Sequence, residues 1–101
     1  MGIFTGIRIL LLLAVALRFC SAQRLDPAQQ AYDALRQKNY EQAIAAFQQA
    51  IALVPNHAAI RKDLAYTLLK TGETEAARDQ FAEAMRLDPA DQHVALEYAF
   101  L

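Results

Sequence analysis

The chain has 101 residues, 55% of them hydrophobic, and ten Lys and Arg stand against eleven Asp and Glu for a net charge of −1 at pH 7. No basic run or stripe is available to neutralise phosphates, so the composition argues against a nucleic-acid partner. The only cysteine, Cys20, and the only serine, Ser21, both lie near the start of the chain. If that segment is removed, what remains has neither a disulfide nor a thiol or serine nucleophile.

Residues 1–22 are laid out like a secretory signal peptide. Arg8 precedes the unbroken apolar run Ile9 to Leu17, and the small residues Cys20-Ser21-Ala22 follow. An uncleaved membrane anchor is the alternative, but the apolar run ends at Arg18, well short of the roughly 20 residues that span a bilayer. The sequence therefore predicts cleavage after Ala22, no stable membrane span after cleavage, and export to the periplasm or the extracellular space.

Two helices are predicted next in the chain. Asp26 is a favourable N-cap and Pro27 suits the first helical position, where no N–H is required. Gln37-Lys38-Asn39 forms the turn. Asn39 with Gln42 then repeats the capping pattern before a second helix, from Tyr40 to about Leu53.

The following stretch predicts a second pair of helices. Asn56 is expected to cap a helix from about Ala58 to Lys70, and Gly72 stands where a left-handed helix terminus needs a residue without Cβ. Thr74 is expected to cap a helix that runs to about Leu87. A fifth helix is predicted from Asp91 to the last residue.

The two predicted hairpins repeat one another. Seven pairs of identical residues are separated by 34 positions: Tyr32 and Tyr66, Leu35 and Leu69, Ala43 and Ala77, Phe47 and Phe81, Ala50 and Ala84, Leu53 and Leu87, and Pro55 and Pro89. A fixed spacing of this size is typical of stacked repeats. We divide residues 23–101 into a first repeat at about 24–57, a second at about 58–91 and the start of a third at 92–101.

The repeated residues resemble a known motif. Ala43, Phe47 and Pro55, then Ala77, Phe81 and Pro89, are similar to the A-x3-F…P half of the tetratricopeptide repeat, a helix-turn-helix unit. Arg61 stands where the family has a large Trp, and the first copy matches the earlier half of the motif poorly. The resemblance implies an all-α tetratricopeptide-repeat α-solenoid with two helical hairpins plus one unpaired C-terminal helix. The combination of a signal peptide and such repeats resembles that of bacterial periplasmic and outer-membrane assembly factors.

The resemblance also implies a place for a protein or peptide partner. In the family, the concave face is built mostly from the first helix of each hairpin. The matching positions are Tyr32, Leu35, Arg36, Lys62, Tyr66, Leu69, Lys70, His93, Leu96 and Phe100. Such an aromatic and aliphatic floor edged by positive charge suits a peptide carrying apolar side chains and a carboxylate. The alternative is that the repeated tyrosines and leucines only pack one hairpin on the next.

No residue pattern in the sequence indicates catalysis. His57 and His93 are not at a metal-ligand spacing and have no cysteine partner, so we predict no metal site. No glycine-rich phosphate loop is present. We therefore predict that the protein is not an enzyme, that it uses no cofactor, and that it is an exported interaction scaffold. The alternative is the N-terminal helper region of a larger exported enzyme or of a secretion or assembly machine.

The end of the sequence is apolar almost all round, from Val94 to Leu101. Repeat arrays usually finish with a helix that is polar on its outer face. Two explanations remain open at this stage. The chain is the N-terminal piece of a longer repeat protein, or it is a short protein whose open end self-associates with a second copy and buries Tyr98 and Leu101.

Overall fold

A computed structural model describes residues 26–101, which form five helices and no strand. They are α1 (Pro27–Arg36), α2 (Tyr40–Leu53), α3 (Ala58–Lys70), α4 (Thr74–Leu87) and α5 (Gln92–Ala99). The predicted signal peptide at 1–22 lies outside the described residues. Each helix packs against the next along the chain, so α1 with α2 and α3 with α4 make two hairpins. The last helix, α5, packs on α4, and the described residues contain no second helix to complete a third hairpin. The predicted all-α architecture is confirmed.

The helices recur with the same period as the repeated residues of the sequence. The first and last residues of α2, Tyr40 and Leu53, correspond to those of α4, Thr74 and Leu87, at the spacing that separates Phe47 from Phe81. The starts of α3 and α5 are separated by this spacing too. Such stacked helical hairpins each cover the apolar face of a neighbour.

Side-chain caps explain where the first two helices begin. The Asp26 carboxylate accepts a hydrogen bond from the Gln29 N–H at 2.8 Å, and Asn39 Oδ1 accepts one from the Gln42 N–H at 3.3 Å. The Gln42 side chain also accepts a bond from Asn39 Nδ2 at 2.7 Å. Both caps were predicted, and each satisfies an N–H that has no partner within the helix.

The caps of the second hairpin differ from the prediction. His57, not Asn56, caps α3, because its Nδ1 accepts a hydrogen bond from the Ile60 N–H at 3.3 Å. At α4 the N-cap is Glu73, not Thr74, and no side chain caps the helix. The Glu73 carboxylate instead accepts a bond from the Thr71 hydroxyl at 2.7 Å.

Both hairpin turns close in the same way. Gly72 has φ of 78°, as predicted, and Lys38, at the matching position of the first repeat, has φ of 58°. After α1 the Asn39 N–H donates to the Ala34 carbonyl at 2.9 Å, and after α3 the Glu73 N–H donates to the Leu68 carbonyl at 3.0 Å. This bond is the mark of the Schellman motif, which requires a left-handed residue just after the helix. In the first hairpin a lysine supplies it.

Small residues let the helices approach closely around two phenylalanines. Phe47 and Phe81 are fully buried, and six alanines at repeated positions are at most 4% exposed: Ala31, Ala43, Ala50, Ala65, Ala77 and Ala84. The last helix joins this core through Val94, which is buried. α5 ends at Ala99, so the prediction that it runs to the last residue is wrong.

Candidate partner-binding surface

A surface cavity of about 170 Å³ lies where the first helices of the two hairpins face each other. We call it the groove. Its walls come from α1, from α3 and from the first residue of α2. The lining residues are Tyr32, Leu35, Tyr40, Asp63, Tyr66, Thr67 and Lys70.

Tyr32 ties the two hairpins together at the groove. Its ring packs edge-on against Phe47, with the ring centres 5.2 Å apart. Its hydroxyl donates a hydrogen bond of 2.5 Å to Oδ2 of Asp63 on α3. Burial, together with this carboxylate, raises the pKa of Tyr32 well above its ordinary value. The protonated phenol therefore forms a hydrogen bond between the two repeats and is also part of the groove wall.

Tyr66 occupies the same place one repeat later. Its ring packs edge-on against Phe81 at 5.0 Å between centres. Glu97 follows Tyr66 in the sequence at the same spacing as Asp63 follows Tyr32. Burial, and then the Glu97 carboxylate, raise the pKa of Tyr66. An acid therefore lies near the tyrosine of each repeat: Asp63 accepts a hydrogen bond from Tyr32, and Glu97 acts on Tyr66 through its charge.

Of the three predicted cations, only Lys70 lines the groove. Lys62 Nζ is bound to Oδ2 of Asp91 at 3.1 Å, which raises the pKa of Lys62 and lowers that of Asp91. Arg36 forms an ion pair with Asp33 on its own helix. The groove therefore presents one cation, Lys70, which is exposed to solvent.

The remaining predicted residues lie elsewhere. Leu69 is half-buried and packs against the core. His93, Leu96 and Phe100 are exposed residues at the end of the array and do not line the groove. The structure therefore brings together Tyr32, Leu35, Tyr66 and Lys70, and separates them from the other predicted positions.

Three groove residues escaped the sequence analysis. Tyr40 opens α2, and Asp63 is held by the Tyr32 hydroxyl. Thr67 is 2% exposed and donates to the Asp63 carbonyl at 2.7 Å. One signal could have revealed Asp63, because an acid follows both repeated tyrosines at the same distance, as Asp63 and as Glu97.

Within residues 26–101, no group of three or more His, Cys, Asp or Glu side chains comes together in a way that could hold a metal ion. The helices of this same part of the chain are each too short or too polar to cross a membrane.

The comparison with known families agrees with the geometry. A family model described as tetratricopeptide repeat matches residues 34–99, from the end of α1 through α5. No curated protein matches the chain. Repeats of this kind generally mediate protein–protein interactions and are typically non-catalytic scaffolds. With the match spanning most of its length, the chain belongs to the tetratricopeptide repeat family.

Proposed function

We propose that this protein is an exported interaction scaffold and that its groove binds a peptide segment of a protein partner. The observation that carries the proposal is the composition of the groove wall. Tyrosines from both hairpins and Leu35 of the first hairpin meet there beside a single exposed ammonium group, that of Lys70.

The size of the groove favours a peptide side chain over a free small molecule. Its volume of about 170 Å³ is below the roughly 300 Å³ at which ligand pockets usually begin. Tyrosines present an apolar face with a polar rim, which suits an inserted apolar side chain. The groove therefore fits one anchoring side chain of a longer segment, as in other peptide-binding surfaces.

The charges of the groove favour a peptide with an acidic residue next to the anchoring side chain. The Asp63 carboxylate already accepts the Tyr32 hydroxyl, whereas Lys70 lies at the exposed edge. A peptide carboxylate placed beside Lys70 gains a charge-assisted hydrogen bond. We expect ligands that combine a leucine or aromatic residue with a nearby Asp or Glu.

Export rests on a separate observation, the pattern of residues 1–22. A basic residue, an apolar run and a small-residue site occur there in the order of a secretory signal. We therefore expect the partner to lie outside the cytoplasm.

The groove is tested by selection from a displayed library of random peptides against the full chain. Selected peptides are then measured by calorimetry against wild type, Lys70→Gln and the matched control Arg86→Gln. Arg86 lies on α4 and pairs with Glu83 at 3.0 Å, so both variants remove one positive charge. We expect Lys70→Gln to weaken binding about tenfold, the effect of one charge-assisted contact, and Arg86→Gln to change little.

Two results contradict the proposal. One is a library that yields no peptide enriched over an unrelated helical protein. The other is a set of peptides that bind Lys70→Gln and Arg86→Gln equally well, since a ligand indifferent to Lys70 lies elsewhere on the surface.

A further inference from the structure

A cavity separate from the groove, of about 310 Å³, opens at the start of the first repeat. It lies between the beginning of α1, the end of α2 and the beginning of α3, and we call it the entry cavity. Its lining residues are Asp26, Pro27, Ala28, Ala50, Leu53, Val54, His57 and Ile60. None of these eight residues lines the groove.

The same place occurs one repeat later and is almost filled. A cavity of about 50 Å³ there is lined by Ala58, Ala59, Lys62, Ala84, Asp88, Asp91 and Val94. Five of these residues each follow a lining residue of the entry cavity by the repeat spacing of 34 positions. The two cavities are therefore equivalent places in successive repeats, and the one in the first repeat is much larger.

The late start of α1 is one reason for the difference in size. α3 begins at Ala58, whereas α1 begins at Pro27, three positions later within its repeat. The first turn of α3 supplies Ala58 and Ala59 to the wall of the small cavity. The matching residues of the first repeat are Arg24 and Leu25, which lie outside the described residues.

The entry cavity is also more apolar than its counterpart. In the second repeat, Lys62 Nζ binds Asp91 Oδ2 at 3.1 Å, and both residues line the small cavity. Ala28 stands in place of Lys62, so the first repeat cannot form this ion pair, and Val54 stands where the second repeat has an aspartate. Leu53 is 70% exposed and Val54 is 51% exposed. Such a surface favours an apolar occupant.

Leu25 is the apolar residue best placed to enter. It directly precedes Asp26, which lines the cavity, and consecutive Cα atoms are about 3.8 Å apart. Asp26 is extended, with ψ of 163°, because a residue before proline avoids the helical conformation. An apolar residue just before an N-cap often packs on the fourth helical residue. That residue is the polar Gln30, so the entry cavity offers Leu25 an apolar surface instead.

We propose that Leu25 packs into the entry cavity against Leu53 and Val54, where it takes the place that the first turn of α3 fills in the second repeat. A residue joined to the cavity wall by one peptide bond has a high effective concentration there, which favours it over a free peptide or a second copy. Residues 23–25 thereby close the first repeat, whether or not the predicted signal peptide is removed.

A disulfide within one chain tests the proposal directly. In the full chain with Cys20→Ser, the pair Leu25→Cys and Val54→Cys is expected to form an intramolecular disulfide on mild oxidation, because packing brings the two sulfur atoms within bonding reach. The matched control pairs Leu25→Cys with Asp88→Cys, since Asp88 is an exposed residue that corresponds to Val54 one repeat later. Non-reducing electrophoresis and intact mass distinguish a disulfide within one chain from a disulfide between chains.

Thermal unfolding of the full chain tests whether the contact stabilises the first repeat. Leu25→Ser should lower the melting temperature by about 5 °C, the shift expected from a partly buried leucine in a domain of this size. The control Gln23→Ser removes a polar side chain from the same segment and should change the melting temperature little. Circular dichroism checks that helix content is unchanged in all variants.

Three results overturn the proposal. One is a Leu25→Ser variant that melts at the same temperature as Gln23→Ser. Another is a Leu25→Cys and Val54→Cys pair that oxidises no more readily than the control pair. The third is a disulfide that links two chains, which would assign the entry cavity to a second copy.

Discussion

The hydrogen bond between Tyr32 and Asp63 joins the two hairpins, so Tyr32→Phe should weaken the array without repacking it. The variant removes only the hydroxyl that donates to the carboxylate at 2.5 Å and keeps the ring against Phe47. A hydrogen bond to a charged group contributes about 1.5–3 kcal/mol. Because both side chains are only half-buried, we expect a loss of about 1–2 kcal/mol in the free energy of unfolding, at or just below the lower end of that range.

Denaturant unfolding followed by circular dichroism measures this loss. Tyr40→Phe is the matched control, since it also removes a tyrosine hydroxyl from the groove wall, and that hydroxyl makes no hydrogen bond to any residue of 26–101. A double-mutant cycle with Asp63→Ala isolates the pair. In the Asp63→Ala background, Tyr32→Phe should have almost no effect.

The same bond makes stability depend on alkaline pH. The pKa of Tyr32 is raised in the folded state by burial and by Asp63. Below the ordinary tyrosine pKa of about 10 the phenol is protonated in both states, and the full contribution is present. As pH rises above that value, the unfolded chain releases the proton first, so the contribution is progressively lost toward the higher folded pKa. Wild type should therefore lose stability more steeply than Tyr32→Phe in this range.

Either of two results would show that this bond does not stabilise the array. One is a loss in Tyr32→Phe no larger than in Tyr40→Phe. The other is a Tyr32→Phe effect that persists undiminished after Asp63 is replaced by alanine.

The remaining predictions concern the hairpin turns and the start of the chain. Lys38→Gly should raise the free energy of unfolding by about 1 kcal/mol, because φ of 58° disfavours a residue with Cβ; an unchanged or lower melting temperature would contradict this. Gly72→Ala should lower the free energy of unfolding by about the same amount through backbone strain alone, since an added Cβ meets nothing within 4 Å. An unchanged melting temperature would contradict this. Intact mass spectrometry of the protein from its natural source should show a chain that begins at Gln23, and a mass that includes residues 1–22 would argue against cleavage.

Signals from neighbouring residues predicted the helices well. Asp26 before Pro27 and Asn39 before Gln42 fix two helix starts through short-range side-chain contacts. Gly72 fixes a helix end through its own backbone conformation. The start of α4 was predicted wrongly, because Glu73 and not Thr74 is the N-cap, and the Glu73 carboxylate accepts from Thr71 and not from a helix N–H.

By itself the sequence determined the repeat, the family motif and the positions of Phe47 and Phe81, because a fixed spacing repeats the same buried contacts. Only the tertiary structure decided which partner each long side chain takes. Tyr32 pairs with Asp63 and Lys62 with Asp91, in each case a residue far away along the chain. Because Lys62 is held by Asp91, Lys70 is the cation that lines the groove. Such pairings depend on how one hairpin packs on the next. The packing of α5 on α4 likewise decides that Phe100 is exposed to solvent.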